Sequence, residues 1–333
     1  MTTTVHAKLS RRHALAAGGA GLLAATLGGL RPAAALTPIR QGFQTNMWGM
    51  PTYYLMQSGH LQKHGIEARE FAVPSGNLTM QQMVAQQVDL GTFAGPSLLI
   101  GYDRGGLVAI AMIEYAGGTI RVMGRKDLHM TKIEDLRGKK VANQVGSSVG
   151  NIFDDVVMPE HGLHRGDWTE IRMNVTDMVS ALAAKTIDAM VCVEPYNALA
   201  EAQGIANTIL DFYSVDKLPV FMAATPQFAK AHPNTLVAYC KAWLDVGKDF
   251  RDEPDKVSDV IYQFYTSKGY KLARETFKKA LSGIRVTPGF PPTSELKPYM
   301  DRYADELLKA NKIETRPNLD KIMWRQFMEH AEA

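Results

Sequence analysis

The chain has 333 residues, enough for two ordinary domains, of which 46% are hydrophobic and 21% charged. That balance excludes a disordered chain. A formal net charge of +3, with no basic block beyond pairs such as Lys139-Lys140 and Lys278-Lys279, excludes a nucleic-acid surface of the usual basic kind.

Residues 1–35 read as a targeting segment. Arg11-Arg12 stand directly before an Ala- and Gly-rich apolar stretch, 14–30, and Ala33-Ala34-Ala35 supplies small residues for cleavage. Paired arginines before a weakly apolar core resemble a twin-arginine export signal. An ordinary secretory signal or a short anchor is the alternative, but glycine and alanine give weak membrane affinity. No later run is long and apolar enough to span a bilayer. Segment 1–35 is therefore set apart from the fold, and export is expected.

From residue 39 the chain alternates strands and helices. A strand over 39–43 leads through Asn46-Met47-Trp48-Gly49 into a helix opened by Pro51 and stopped at His64-Gly65. A strand over 68–73, a helix over 79–87 and a strand over 89–94 follow, the last ending at Gly95-Pro96-Ser97. The same order returns later. A strand over 140–144, the turn Gly146-Ser147-Ser148-Val149, and a helix stopped at His161-Gly162 precede a strand over 170–174. A helix over 178–185 and a strand over 188–193 then end at Glu194-Pro195-Tyr196. This is a βαβαβ unit used twice, which implies two parallel-type sheets with helices on both faces and a cleft at the carboxyl ends of the strands. Strand-like runs at 108–126 and 218–224 read as crossings between the halves, and the remainder is helical, with an apolar stripe through Leu236, Tyr239, Cys240 and Trp243.

The turn at Ser147-Ser148 carries the chemistry. Small, hydroxyl-bearing and flanked by glycines, it leaves helix N–H groups free for an anion or a polar acceptor. A plain serine-capped turn with no ligand fits the same residues. Cys192 and Cys240, far apart in sequence, read as buried small hydrophobes. There is no CxxC, no HExxH and no His–carboxylate cluster at ligand spacing, so neither a metal nor a cofactor is expected.

Two stretches carry a family resemblance. Asp135-Leu136-Arg137-Gly138-Lys139-Lys140-Val141 followed by Gly146-Ser147-Ser148, and Asp188-Ala189-Met190-Val191 followed by Glu194-Pro195-Tyr196, resemble substrate-binding proteins of ABC importers. The group is that of sulfonate, nitrate and taurine binders and their thiamine-pyrimidine-precursor relatives. The resemblance implies an α/β fold, a two-lobed type II periplasmic-binding-protein clamp with a mainly parallel sheet in each lobe. It divides the chain into lobe 1 (36–127), lobe 2 (128–216) and a return to lobe 1 (217–333). It implies a monomer in the periplasm that captures a small-molecule ligand and delivers it to an ABC permease and its ATPase.

The site residues it implies are Asn46, Trp48, Phe93, Ser97, Tyr115, Ser147, Ser148, Met178, Glu194 and Tyr196. Trp48, Phe93, Tyr115 and Tyr196 would wall in a flat or apolar body. Glu194 would accept a hydrogen bond from an amine or ring N–H, or stand as a solvated strand-end carboxylate. For Phe93 the alternative is plain core. Asp177 is expected to cap the helix starting at Met178. No arginine falls at these loops, which favours a mono-anion, a nitrogen heterocycle or an amide over a di-anion. An enzyme on the same fold, akin to pyrimidine synthases, is the alternative, but its clustered cysteines have no counterpart here, and Ser147 has no histidine partner that sequence can name. A free ligand-sensing subunit is a third.

Overall fold

The computed structural model describes residues 36–287 and 289–333. The export segment expected over 1–35 lies outside the described residues. Two sheets organise the chain. The first has the order β11-β4-β10-β3-β1-β2 and the second β7-β6-β8-β5-β9. The strands are β1 (Thr37–Gln44), β2 (Ile66–Val73), β3 (Leu90–Ala94), β4 (Val108–Tyr115), β5 (Ile120–Arg125), β6 (Lys140–Asn143), β7 (Thr169–Arg172), β8 (Ala189–Val193), β9 (Ala206–Asp211), β10 (Pro219–Ala224) and β11 (Arg285–Val286).

The repeat is visible in the pairing. β1 lies parallel between β2 and β3, and β6 lies parallel between β7 and β8. Each sheet then takes in one antiparallel strand delivered by a crossing: β10 joins β3 to β4 in the first, and β5 joins β8 to β9 in the second. Both sheets are thus mixed. The antiparallel member exists because a chain leaving one lobe enters the other from its cleft end, running against the strands already there.

This pairing moves one expected boundary. β5 falls inside the segment 36–127 assigned to lobe 1, yet it pairs only in the second sheet. The chain crosses between Tyr115 and Ile120. It returns through Phe212–Ser214 and Asp216-Lys217 to β10. The hinge is accordingly narrower than the runs 108–126 and 218–224. The two crossings run side by side: the Gly117 N–H donates to the Lys217 carbonyl (2.8 Å) and the Ala116 N–H to that of Leu218 (3.1 Å). Asp216, buried, accepts from the Leu218 N–H (2.7 Å) and the Tyr303 hydroxyl (2.7 Å) and pairs with Arg302.

Strand alternation places the helices. Gly42 and Gly91 lie under the helix Gly76–Val84, where an added Cβ would come within 2.7 Å and 2.6 Å of Thr79 Cγ2. Gln41, pointing the other way, accepts from the Tyr239 hydroxyl (2.8 Å) on the helix Pro233–Asp252. The first lobe is therefore three-layered, with fully buried Phe43, Phe93, Phe221 and Trp243 in its core. Among the described residues no helix is long and apolar enough to cross a membrane.

Candidate ligand-binding cleft

The carboxyl ends of the parallel strands of both lobes face one another, and the lobes touch. Ser97 Oγ, in the first turn of the helix Gly95–Gly105, lies 3.3 Å from Ser148 Oγ of the second lobe. The Met47 N–H donates to the Glu194 carbonyl (3.0 Å), and Lys312 Nζ to Asn151 Oδ1 (2.5 Å). The lobes meet at these three contacts.

The serine turn forms as its sequence requires. Gly146 has φ +83°, a left-handed value that favours glycine. At Gly150 an added Cβ would come within 2.6 Å of the Gln144 carbonyl oxygen, so this glycine lets the turn close. Ser147 Oγ accepts from the Gly150 N–H (3.1 Å), capping the helical stretch 148–160, which widens into a π-type turn at Phe153–Val157.

Beside this turn an interlobe cavity of about 450 Å³ opens to solvent. Ser75, Asn77 and Leu78 supply its first-lobe wall, at the start of Gly76–Val84. Gln144, Val145, Ser147, Arg172, Met173, Asn174 and Asp177 supply the second. Arg172, the last residue of β7, is exposed and has no hydrogen-bond or ion-pair partner among the described residues. A cation thus reaches the cleft from a strand end, outside the loops at which no arginine is expected. Asp177 also differs from expectation. The helix begins at Val175 with Asn174 at its N-cap, so Asp177 sits within the first turn, exposed towards the cavity, and not in front of the helix.

Of the ten implied site residues, Ser147 lines this cavity, and Ser97 and Ser148 close the cleft beside it. Asn46 and Trp48 are buried near the hinge: Asn46 Oδ1 accepts from the Trp48 N–H (3.1 Å), and the indole Nε1 donates to Thr119 Oγ1 (2.5 Å). Tyr196 is buried against Tyr270 of the first lobe, with ring centroids 5.8 Å apart. Met178 and Phe93 are wholly buried, Phe93 paired with Phe221 in the sheet. The Tyr115 hydroxyl donates to Glu295 (2.6 Å). Glu194 is neither solvated nor free. Its carboxylate meets Arg121 Nη1 (3.1 Å) and accepts from the Ala198 N–H (3.0 Å), and burial pushes its pKa up despite the arginine. It lines a different cavity, of about 450 Å³, with Lys279. Sequence reasoning missed Ser75, Asn77, Gln144 and Arg172. The available signal was that each lies at the carboxyl end of a strand or the start of the following helix.

Residues 46–257 match the family model described as NMT1/THI5 like. The chain belongs to that family. A Brucella abortus (strain 2308) protein provisionally named a binding protein is 26% identical over 235 residues, 68% of this chain and 71% of its own. A Brachyspira hyodysenteriae protein provisionally named an ABC transporter periplasmic binding protein is 23% identical over 274 residues, 74% of each chain. The solved alkanesulfonate-binding protein of Xanthomonas axonopodis pv. citri, bound to MOPS, superposes with a TM-score of 0.75 at 17% identity, over 88% of this chain and all of that one. The fold is the two-lobed type II periplasmic-binding-protein clamp. An enzyme shares it: a desulfurization enzyme matches with a TM-score of 0.66 at 14% identity, over 89% of this chain and 99% of its own.

Proposed function

We propose that this protein is the solute-binding component of an ABC importer, working in the periplasm and closing its lobes on a small organic mono-anion for delivery to a membrane permease and its ATPase. The observation that carries the ligand class is Arg172, a guanidinium without a partner among the described residues, in an interlobe cavity that also offers Ser147, Ser75, Asn77 and Gln144 as polar contacts. Leu78, Val145 and Met173 line the same cavity, so the ligand has an apolar body as well as an anionic head. The names of the family relatives and the alkanesulfonate-binding neighbour support this reading. Binding without turnover is favoured by the cavity's chemistry. Ser147 bonds to its own helix, and among the described residues no histidine or cysteine lines this cavity to activate a nucleophile.

The test is calorimetric titration of the purified protein with alkanesulfonates, carboxylates, nitrate and pyrimidines. A mono-anion is expected to bind best, and Arg172→Gln to weaken it at least about tenfold, the effect of losing one charge-assisted contact. Preferred binding of a neutral pyrimidine, unaffected by Arg172→Gln, would overturn the anion assignment.

A further inference from the structure

A second interlobe groove, of about 500 Å³, lies apart from the cleft cavity. Its first-lobe wall is the end of the helix Thr293–Lys309, with Glu306, Lys309 and Lys312. Its second-lobe wall comes from the stretch 148–160 and the loop after it, with Asp154, Asp155, His164 and Arg165. Lys312 crosses the groove to Asn151, on the helix that carries the serine turn. The groove is thus both a contact between the lobes and a meeting of carboxylates from each.

Of the cations nearby, Lys312 is bonded to Asn151 and Lys309, three residues after Glu306, is exposed at the groove's edge, while the two arginines are engaged with carboxylates. Arg165 pairs with Asp154 (3.4 Å) and Asp155 (3.3 Å). Arg302, one turn before Glu306, is held by Asp216 and Tyr303 and reaches Glu306 only at 4.0 Å. Against Glu306 stand Asp155 and Glu160 of the second lobe and Asp216 of the hinge. Asp154, behind them, is bonded to Asn143 Nδ2 (3.1 Å) and faces Glu170 on its own lobe.

We propose that this groove is a proton-sensitive latch on lobe closure: Lys312 holds the lobes together through Asn151, while an ionised Glu306, facing Asp155 and Glu160, pushes them apart. Burial, then Asp155, Asp216 and Glu160, raise the Glu306 carboxyl to about 7 in spite of Arg302. A carboxyl raised in the closed form favours closure while it is protonated. That contribution is present in acid and is lost as the pH rises through about 7. If the whole rise from 4.5 to about 7 came from closing, the closed-to-open ratio would be about 30-fold higher at pH 5.5 than at pH 8.5. Part of the burial belongs to the first lobe alone and solvent screens the groove, so a several-fold change is expected. The latch concerns the lobes and not the solute, so it and the ligand assignment fail separately.

The experiment needs no ligand. Spin labels at Lys230→Cys on the first lobe and Thr186→Cys on the second, both exposed sites, report the interlobe distance; the native cysteines are buried. The closed distance is expected to gain several-fold in population from pH 8.5 to pH 5.5. In Glu306→Gln it should be populated equally at both. Asp155→Asn should shrink the dependence from the opposite wall, which guards against a misfolded Glu306 variant. A pH-independent distribution in the unsubstituted protein would overturn the latch. So would a dependence that survives Glu306→Gln and disappears in His164→Gln.

Discussion

Glu114 offers the sharpest test of how the first lobe is held together. It lies near the end of β4, fully buried, opposite Val220 on one side and Val286 on the other. Neither carboxyl oxygen has a hydrogen-bond partner among the described residues. Burial alone raises its pKa well above the usual 4.5, with no neighbouring charge to offset it. A buried polar group left unpartnered costs about 1–3 kcal/mol. Glu114→Met, similar in length and wholly apolar, removes that cost and is expected to stabilise the protein by about 1–3 kcal/mol at pH 5.5. The pH dependence adds a second signature. The folded chain holds a proton on Glu114 that the unfolded chain releases above 4.5. Its contribution is therefore complete below 4.5 and declines by about 1.4 kcal/mol per pH unit until the raised value is passed. Urea denaturation at pH 5.5, 7 and 8.5, followed by tryptophan fluorescence, measures both. The variant's advantage should widen with pH at constant m-value. An advantage that is absent, or that stays constant across the three pH values, would show that the carboxyl is satisfied and refute the reasoning.

Two further outcomes follow from burial and from the hinge. Asp216→Ala removes the acceptor shared by Leu218, Tyr303 and Arg302 at the return crossing, and should cost about 3 kcal/mol in urea denaturation, since partners of a buried carboxylate are left unpaired. Burial pushes the Cys240 thiol up to about 12, and that of Cys192 higher still. Both should stay unmodified by a thiol-specific reagent at pH 8 in the native protein and react only in denaturant; reaction of the folded chain would contradict their placement.

Much of the architecture is legible in the sequence alone. Glycine stops at Gly65 and Gly162, strand alternation and the two proline-bearing strand ends are local signals, so the two βαβαβ units could be read and aligned. The short edge strand β11 and the half-exposed β9 gave too little apolar periodicity to be seen. β5 reads as a strand in the sequence, but its sheet does not, because its partners, β8 and β9, lie more than sixty residues away.

The site divides in the same way. Sequence alone determined the serine turn, since Gly146 and Gly150 meet local requirements of backbone angle and close approach that few other residues satisfy. Only the tertiary structure decided what shares the cleft with it. Arg172 and Glu194 both stand at strand ends in the second lobe, yet one is exposed and has no partner among the described residues while the other is held by Arg121 and the Ala198 amide. The difference arises from where β5 and the hinge bring their side chains. Solvation and charge pairing depend on neighbours in space, which strand and helix periodicity do not encode.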